Sequence, residues 1–505
     1  MQRLFSFDYE LFRYAFAYFH YAEIQNAPNG MNHKTDHMKK YPILLNIKVW
    51  LLFCAASAAP VAAQLRQSPG TSEPRAGCRV EPVNYLGWQA QQVSNPWVKL
   101  IFVPQNGGRL MQVVFDGHSF LFVNPEYAGK YLPPSDTQWF NYGGDKLWVL
   151  PEGNEDEKHW VGNSDVLDDG PFSFATTSQG QRCEVVLKGQ ADPKTGLQFT
   201  RTIRLDADSP RIQFHAVFTN ASGHPIEWSV QSVTQYNTGD ANNPAVHNQT
   251  IWGLSRANPT SSYLNRYHVK FGPAENSAAK IRENGLFALH YVPLAAELWL
   301  DSRDGWLAVV DGASQYAMVE RFRYDETRPY PGNASVIFWT NGPQLRQSAD
   351  GTVTFGRSER EASPFYMEAE LNSPLVKLYP GESHSFDTEW FPTRSDNRFE
   401  DATDAGVILS PLRATSSPEA GKITIAGTFG VFFPGTLVVH FYSAHGNALG
   451  TQTLADADPR KLSSLRISVT APVKVGRISL HAVDTSGVDR GALGEVSVEP
   501  PAGNP

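Results

Sequence analysis

The sequence predicts an all-β fold, a large antiparallel sandwich of about 300 residues followed by a small one, and three observations carry that prediction. The 505 residues include 40 glycines and 35 prolines, and 12% are aromatic, a composition suited to short strands joined by many turns. Apolar runs of strand length recur along residues 97–500 between clusters of Gly, Asn, Asp and Pro. Almost no stretch carries a helix-length 3.6-residue period, and neither heptads nor internal repeats stand out. A chain this long exceeds one ordinary core, so at least two domains are expected. The formal charge of -8, from 51 acidic against 43 basic residues, supplies no basic field, and no nucleic-acid partner is expected.

The N-terminal segment reads as a targeting sequence. From Met38 the chain runs MKKYPILLNIKVWLLFCAASAAPVAAQ, with two lysines, an apolar core over 42–59 and the small-residue end Val61-Ala62-Ala63. This pattern predicts a secretory signal peptide over 38–63, cleaved after Ala63. Lys48 interrupts an apolar run that is short for a spanning helix, so no integral membrane segment is expected after cleavage. Residues 1–37 lie upstream of a normal signal start and are set aside as a mis-assigned or disordered leader. The expected location is periplasmic, extracellular or attached to the cell envelope. Cys78 and Cys183 then remain, and in an oxidising compartment they can form one disulfide tying the mature N-terminus to the first large domain; two unpaired small residues are the alternative. No CxxC pair or HExxH helix is present, so neither a metal nor a cofactor is expected.

Along the mature chain, residues 64–79 are a Gln, Ser, Pro and Gly-rich linker. The runs WVKLIFV, RLMQVVFD and SFLFV, punctuated by Gln105-Asn106-Gly107-Gly108 and Asp116-Gly117, open a β-meander. In LQFTRTIRL the alternation places Phe199, Arg201 and Ile203 on one face and Thr200, Thr202 and Arg204 on the other. Further strands, through FYMEAEL and HSFDTEWF, complete the large sandwich at residue 393. A shift to Thr, Arg, Asp, Ser, Pro and Ala marks 394–420 as an interdomain linker. KITIAGTF, TLVVHFYSA, LSSLRISVT, VGRISLHAVD and GEVSVEP then fit a small immunoglobulin-like β-sandwich over 421–500.

Residues 139–171 concentrate the chemistry. WFNYGGDKLWVLPEG is followed by an acidic run and by HWVGNSDVLDDGP, gathering Asn141, Lys146, Trp148, Glu152 and Trp160 around the turn glycines Gly143 and Gly144. Flat aromatic faces beside short polar and ionic groups suit a sugar, whose C–H faces stack while its hydroxyls need donors and acceptors. The opposing reading is that these tryptophans fill the core of a β domain. Arg109, after Gly107-Gly108, either grips a ligand bidentately or makes a structural ion pair. Asp168 and Asp169 in LDDGP read first as an ordinary turn. The acidic loop Glu155-Asp156-Glu157 lacks the EF-hand pattern.

In order, GGRLMQVVFDGHSFLFVNPE, NYGGDKLWVLPEG, DVLDDGPF and YMEAELNSPLVKLYPGES resemble a bacterial family of uncharacterised proteins related to galactose mutarotase, over residues 80–393. The resemblance implies a mutarotase-like supersandwich, two large twisted antiparallel sheets with a sugar-binding concavity on one. Aldose epimerases of that superfamily use a catalytic His near an HxYFN-like segment and a late-strand Glu. Aligning VTQYN on that segment puts Val233 at the His position, so the catalytic acid is missing and conventional mutarotation lacks its proton donor. His118, His159 and His247 are substitutes that spacing does not rank. The Glu corresponds to Glu368, the catalytic candidate, which a strand places on one face with Glu370 and Tyr366. Paired carboxylates repel when ionised, which raises one pKa toward a useful range; the alternative is that both face solvent.

The segment GKITIAGTFGVFFPGTLVVHFYSAHGNALG resembles the Gmad-type immunoglobulin-like domain of bacterial sporulation and germination proteins, which implies an adhesive or spacing module. Three functions follow. The first is a secreted or envelope carbohydrate-binding protein with a carbohydrate ligand on the supersandwich. The second is a carbohydrate-active enzyme, an epimerase, lyase or hydrolase using Glu368. The third is a structural or adhesive envelope protein. The sharpest expectation is that Lys146, Trp148 and Glu368 converge on one sugar-sized site.

Overall fold

The computed structural model describes residues 77–500 apart from 136–138, 154–157, 163–165, 179, 244–245, 342–344, 348–352, 356–364, 418 and 420. The leader, the signal peptide, most of the 64–79 linker and the acidic loop 155–157 lie outside the described residues. Among those described, the one helical element is the 3-10 turn Pro331–Asn333, and the strands make two large antiparallel sheets and a smaller C-terminal assembly.

The first sheet runs, in spatial order, Arg79–Tyr85, Trp88–Ser94, Val98–Val103, Arg109–Phe115, Asp145–Leu150, Ile226–Asn237, Tyr366–Asn372, Val336–Thr340, Ala296–Leu300 and His268–Phe271. The second runs Ala279–Ile281, Leu286–His290, Ile251–Arg256, Trp306–Asp311, Tyr316–Phe322, Ser383–Arg394, Ile212–Asn220, Leu197–Asp206, Arg182–Ala191 and Ser173–Ser178. Their facing sides share one apolar core, to which Leu147, Val149, Val230, Phe338, Met367 and Leu371 come from the first sheet and Phe199, Ile203, Phe214 and Trp390 from the second. Burial along Leu197–Asp206 alternates as the sequence predicts, with Phe199, Arg201 and Ile203 turned inward. A disulfide joins Cys78, beside the edge strand of the first sheet, to Cys183 on the second, with Cα atoms 5.5 Å apart.

An arginine on an inward face needs a partner, and the first sheet supplies it. Arg201 pairs with Asp145, whose other oxygen accepts from Ser232 at 3.3 Å and Thr234 at 3.4 Å. Next to this pair Tyr236 donates to Glu320 at 2.6 Å, across the same inter-sheet space. Glu320 is fully enclosed, and burial pushes its carboxyl up to about 8.

The C-terminal assembly corrects the reading of 394–420 as a linker. Gly406–Ser416 is an eleven-residue strand that pairs with Lys422–Val431, burying Val407, Leu409, Leu412 and Ala414. Its Ser, Thr and Pro content disguised an alternation whose inward positions are apolar. With Ser463–Thr470 these strands form one half of a β-sandwich. Ala448–Ala457, Gly435–Ser443, Val475–Asp484 and Asp489–Glu499 form the other, and a short parallel contact of Ala414 with Val498 joins the halves. One core including Ile425, Phe429, Val439, Phe441 and Leu480 fills it. A further apolar cluster spans both sandwiches. In it Phe391 stacks on Phe432 with centroids 4.6 Å apart and meets Phe433 edge-on at 5.7 Å, beside Val319, Val407 and Leu409.

Candidate carbohydrate site

Residues directly opposite one another in antiparallel strands point to the same side of a sheet. Lys146 and Glu370 both lie opposite Val233, Trp148 and Asn372 lie opposite Gln231, and Glu368 lies opposite both Gln235 and Trp339. Lys146, Trp148, Gln231, Gln235, Glu368 and Glu370 therefore share one face. Their neighbours Asp145, Thr234 and Tyr236 point into the inter-sheet core, so this face is the one turned away from the second sheet. Lys146 and Glu370 are two strands apart, about 10 Å at the backbone, and the charges of Lys146 and Glu368 shift each other's titration. Lys146, Trp148 and Glu368, singled out from the sequence, thus lie on the same face of the sheet.

The segment after the Arg109–Phe115 strand walls this face. Lys146 Nζ sits 3.6 Å from the Trp148 ring centroid and 5.1 Å from that of Trp139, a cation between two aromatic faces. It also contacts Asp168 Oδ1 at 3.2 Å, and Trp139 donates its indole N–H to Asp168 at 3.2 Å. Trp160 meets Trp148 edge-on at 4.4 Å. Residues 152 and 160 form a short parallel bridge, and just beyond it Gly162 brings the backbone against both Glu152 Oε1 and the Trp148 ring, where a Cβ would lie 2.6 and 3.0 Å from them. Glu152 and Trp160 are thus neighbours of Trp148. Trp148 is 8% exposed and belongs to the large apolar cluster, so it is a core residue with one edge on the site.

Two predicted contacts have a different role. Arg109 is 1% exposed, and its Nη2 pairs with Asp168 at 2.7 Å and Asp169 at 3.0 Å. It positions the wall and has no surface to offer a ligand, the structural alternative for this residue. Asp168 and Asp169 do lie in a turn, but that turn folds inward: Gly107 N bonds Gly170 O at 3.0 Å, and a Cβ on Gly107 would strike Asp168 O at 1.7 Å. The Gly107-Gly108 pair is therefore the seat of the aspartate turn. Asn141 accepts from Gly143 N–H at 3.1 Å and is buried, fixing the Gly143-Gly144 bend rather than reaching outward.

Glu368 and Glu370 carry the acid chemistry. Gln235 donates to Glu368 at 2.5 Å and Gln231 donates to Glu370, and the two carboxyls, two residues apart on one strand face, interact electrostatically. Burial raises both pKa values; for Glu370 the negative charges of Glu368 and Glu297 add to the rise, while Lys146 opposes it for Glu368. Burial likewise lowers Lys146, opposed by Asp168. Val233 lies between Lys146 and Glu370, so an apolar side chain stands at the position aligned with the epimerase histidine. His118 stacks on Tyr316, His247 packs against Tyr291 and Phe365, and His159 lies against Gly153. The glutamines were not singled out from sequence, although Gln231 and Gln235, four apart in EWSVQSVTQY, necessarily share a strand face.

A separate cleft of about 630 Å³ opens on the outer side of the second sheet, with Arg204, Arg211, Arg321 and Arg490 among its lining residues. Those four guanidiniums are matched by Glu184, Glu389, Asp404 and Asp484, so their charge is already neutralised within the protein.

No family model matches the sequence, and no curated protein matches it. Among solved structures the chain is similar to a TPR-domain containing protein from Parabacteroides distasonis, at 14% identity and TM-score 0.39, covering 61% of this chain and 47% of that one, about half its length. It is also similar to galactose mutarotase-like proteins from Lactobacillus casei (10% identity, TM-score 0.38, 60% of this chain and 99% of that one) and Clostridium acetobutylicum (9%, 0.39, 63% and 99%). Among the described residues no helix is long and apolar enough to cross a membrane.

Proposed function

We propose that this chain binds a carbohydrate on the outer face of the first sheet. The observation that carries the reading is the convergence on one face of Trp148, Lys146, the two glutamines and the Glu368–Glu370 pair. Of that set Glu368 is half-buried and Trp148 keeps an edge at the face, so an acid and ring surface of the kind sugars require meet the outside, backed by the buried Lys146, glutamines and Glu370. The Cys78–Cys183 disulfide supports export to an oxidising compartment, as the 38–63 segment suggests.

The two carboxyls on one face, both raised by burial, favour a second reading, an enzyme acting on the same ligand. Retaining and inverting glycosidases set two carboxyls about 5 to 9.5 Å apart on opposite sides of the bond they cleave. Glu368 and Glu370 stand side by side on one face of a single strand and not on opposite sides of a ligand, which fits proton transfer in an epimerase or lyase better than hydrolysis. The test is a thermal-shift screen of residues 64–505 against neutral sugars, uronic acids and their oligomers. A ligand at about a hundred times its Kd stabilises its domain by roughly 2.7 kcal/mol. A selective hit weakened by Glu368→Gln supports the site, and turnover of that sugar, lost in the same variant, establishes the enzyme. A hit unaffected by Glu368→Gln, or no hit in the panel, removes the case for this face.

A further inference from the structure

The C-terminal sandwich carries a side-chain cluster that sugar binding does not use. His440 lies on the Gly435–Ser443 strand and His481 on Val475–Asp484. Their register sets His440 opposite Ser479 and Val438 opposite His481, so the imidazoles are diagonal neighbours on one face. Val439, Phe441, Leu480 and Ala482 take the alternate positions and fill the core, which leaves the histidines on the outer side. The rings stack with centroids 4.2 Å apart and planes 16° from parallel.

Asp489, at the start of the last strand, completes the group. Its Oδ2 and Oδ1 lie 2.8 and 3.0 Å from His481 Nδ1. One donor atom from each of the three residues falls within 4.8 Å of the other two. Ser479 Oγ lies 2.9 Å from His481 Nε2 on the far side and donates to Gly494 O at 3.4 Å. Ser479 Oγ accepts from Nε2–H while donating to Gly494 O, which holds the ring with Nδ1 aimed at the Asp489 carboxylate. Such an orienting partner behind a ring nitrogen is the usual support of a ligating histidine. In the metal-free chain Nδ1–H donates to Asp489 at 2.8 Å, and a metal ion would take the place of that proton, since cis ligands at bond lengths of about 2.1 Å are separated by about 3 Å.

We propose that His440, His481 and Asp489 bind a divalent transition-metal ion. Two imidazoles and one carboxylate, with no thiolate, select the Zn²⁺, Ni²⁺ and Cu²⁺ class over Ca²⁺ or Mg²⁺, which want oxygen alone. His440 closes on the ion by rotation of its side chain, and water fills the open positions. The ion joins three neighbouring strands of one half-sandwich. Because 40 residues separate the two histidines, no short metal-binding motif reveals the site in the sequence.

The test is calorimetric titration of the chelator-treated protein with ZnCl₂ and, separately, CaCl₂. One equivalent of Zn²⁺ should bind and Ca²⁺ should not, and His440→Asn and Asp489→Asn should each weaken Zn²⁺ at least tenfold. Both side chains point outward, so circular dichroism should be unchanged. A measurement free of substitution is diethyl pyrocarbonate labelling read by mass spectrometry, in which Zn²⁺ should protect His440 and His481 while leaving exposed histidines elsewhere reactive. Absence of Zn²⁺ binding, equal affinity in both variants, or unprotected labelling of these two residues overturns the proposal.

Discussion

Replacing Glu320 with glutamine should change how stability depends on pH, and the sign follows from the structure. The carboxyl accepts from Tyr236 O–H at 2.6 Å between the two large sheets, and burial raises it from the ordinary 4.5 to about 8. Between those values the folded chain keeps a proton that the unfolded chain has released. Stability from this residue is therefore fully present below about pH 4.5, declines as pH rises, and is gone once pH passes about 8. The slope is at most about 1.4 kcal/mol per pH unit, on the order of 3–5 kcal/mol over the whole window. Glutamine keeps an oxygen for Tyr236 and cannot titrate. Urea unfolding of both proteins at pH 5, 6, 7 and 8 should show the wild type losing its advantage by roughly 1 kcal/mol or more per unit relative to Glu320→Gln, with equal m-values. Parallel curves would refute the reasoning, because they would mean that Glu320 titrates alike in the folded and unfolded chains.

Asp168→Asn takes a carboxylate from both Arg109 and Lys146, buried cations that lie 2.7 and 3.2 Å from it, and should cost about 3–5 kcal/mol by denaturant unfolding. A cost below 1 kcal/mol would show that the wall does not depend on this pair. Cys183→Ser opens a bridge that spans 105 residues of sequence and should lower stability by about 2–5 kcal/mol, with the same loss in wild type treated with dithiothreitol. Phe391→Ala removes the ring stacked on Phe432 at 4.6 Å and should cost about 3–5 kcal/mol while splitting the melting of the two sandwiches into separate calorimetric transitions.

Alternation along single strands made part of the site legible in the sequence. It set Glu368 beside Glu370 in YMEAEL, Lys146 beside Trp148 in DKLW, and Arg201 with Phe199 and Ile203 on what proved to be the core face. What it could not supply was cross-strand register. That Val233 lies between Lys146 and Glu370, that Gln231 and Gln235 hold the two acids, and that Asp145 answers Arg201 all depend on which strands are neighbours. The direction of a turn was equally hidden: LDDGP is a turn, but only the close seat at Gly107 shows that its aspartates fold inward onto Arg109 and Lys146. The strand Gly406–Ser416 was masked by its surroundings, since Ser, Asp, Arg, Thr and Pro crowd the stretch 394–420 in which its apolar residues lie.

The aromatic seam of Phe391, Phe432 and Phe433 decides how the chain can be divided. A module hung on a flexible tether can be cut away to leave two well-behaved pieces, but here the scissors would pass through shared packing. A fragment ending near residue 393 would present Val319 and Phe391 to water, and the complementary fragment would present Val407, Leu409 and Phe432. Each half would carry a sticky patch suited to the other, so the two expressed together should reassemble, and either expressed alone should aggregate. The C-terminal sandwich is in this sense a fitted cap, and its apolar face is matched to the surface it covers.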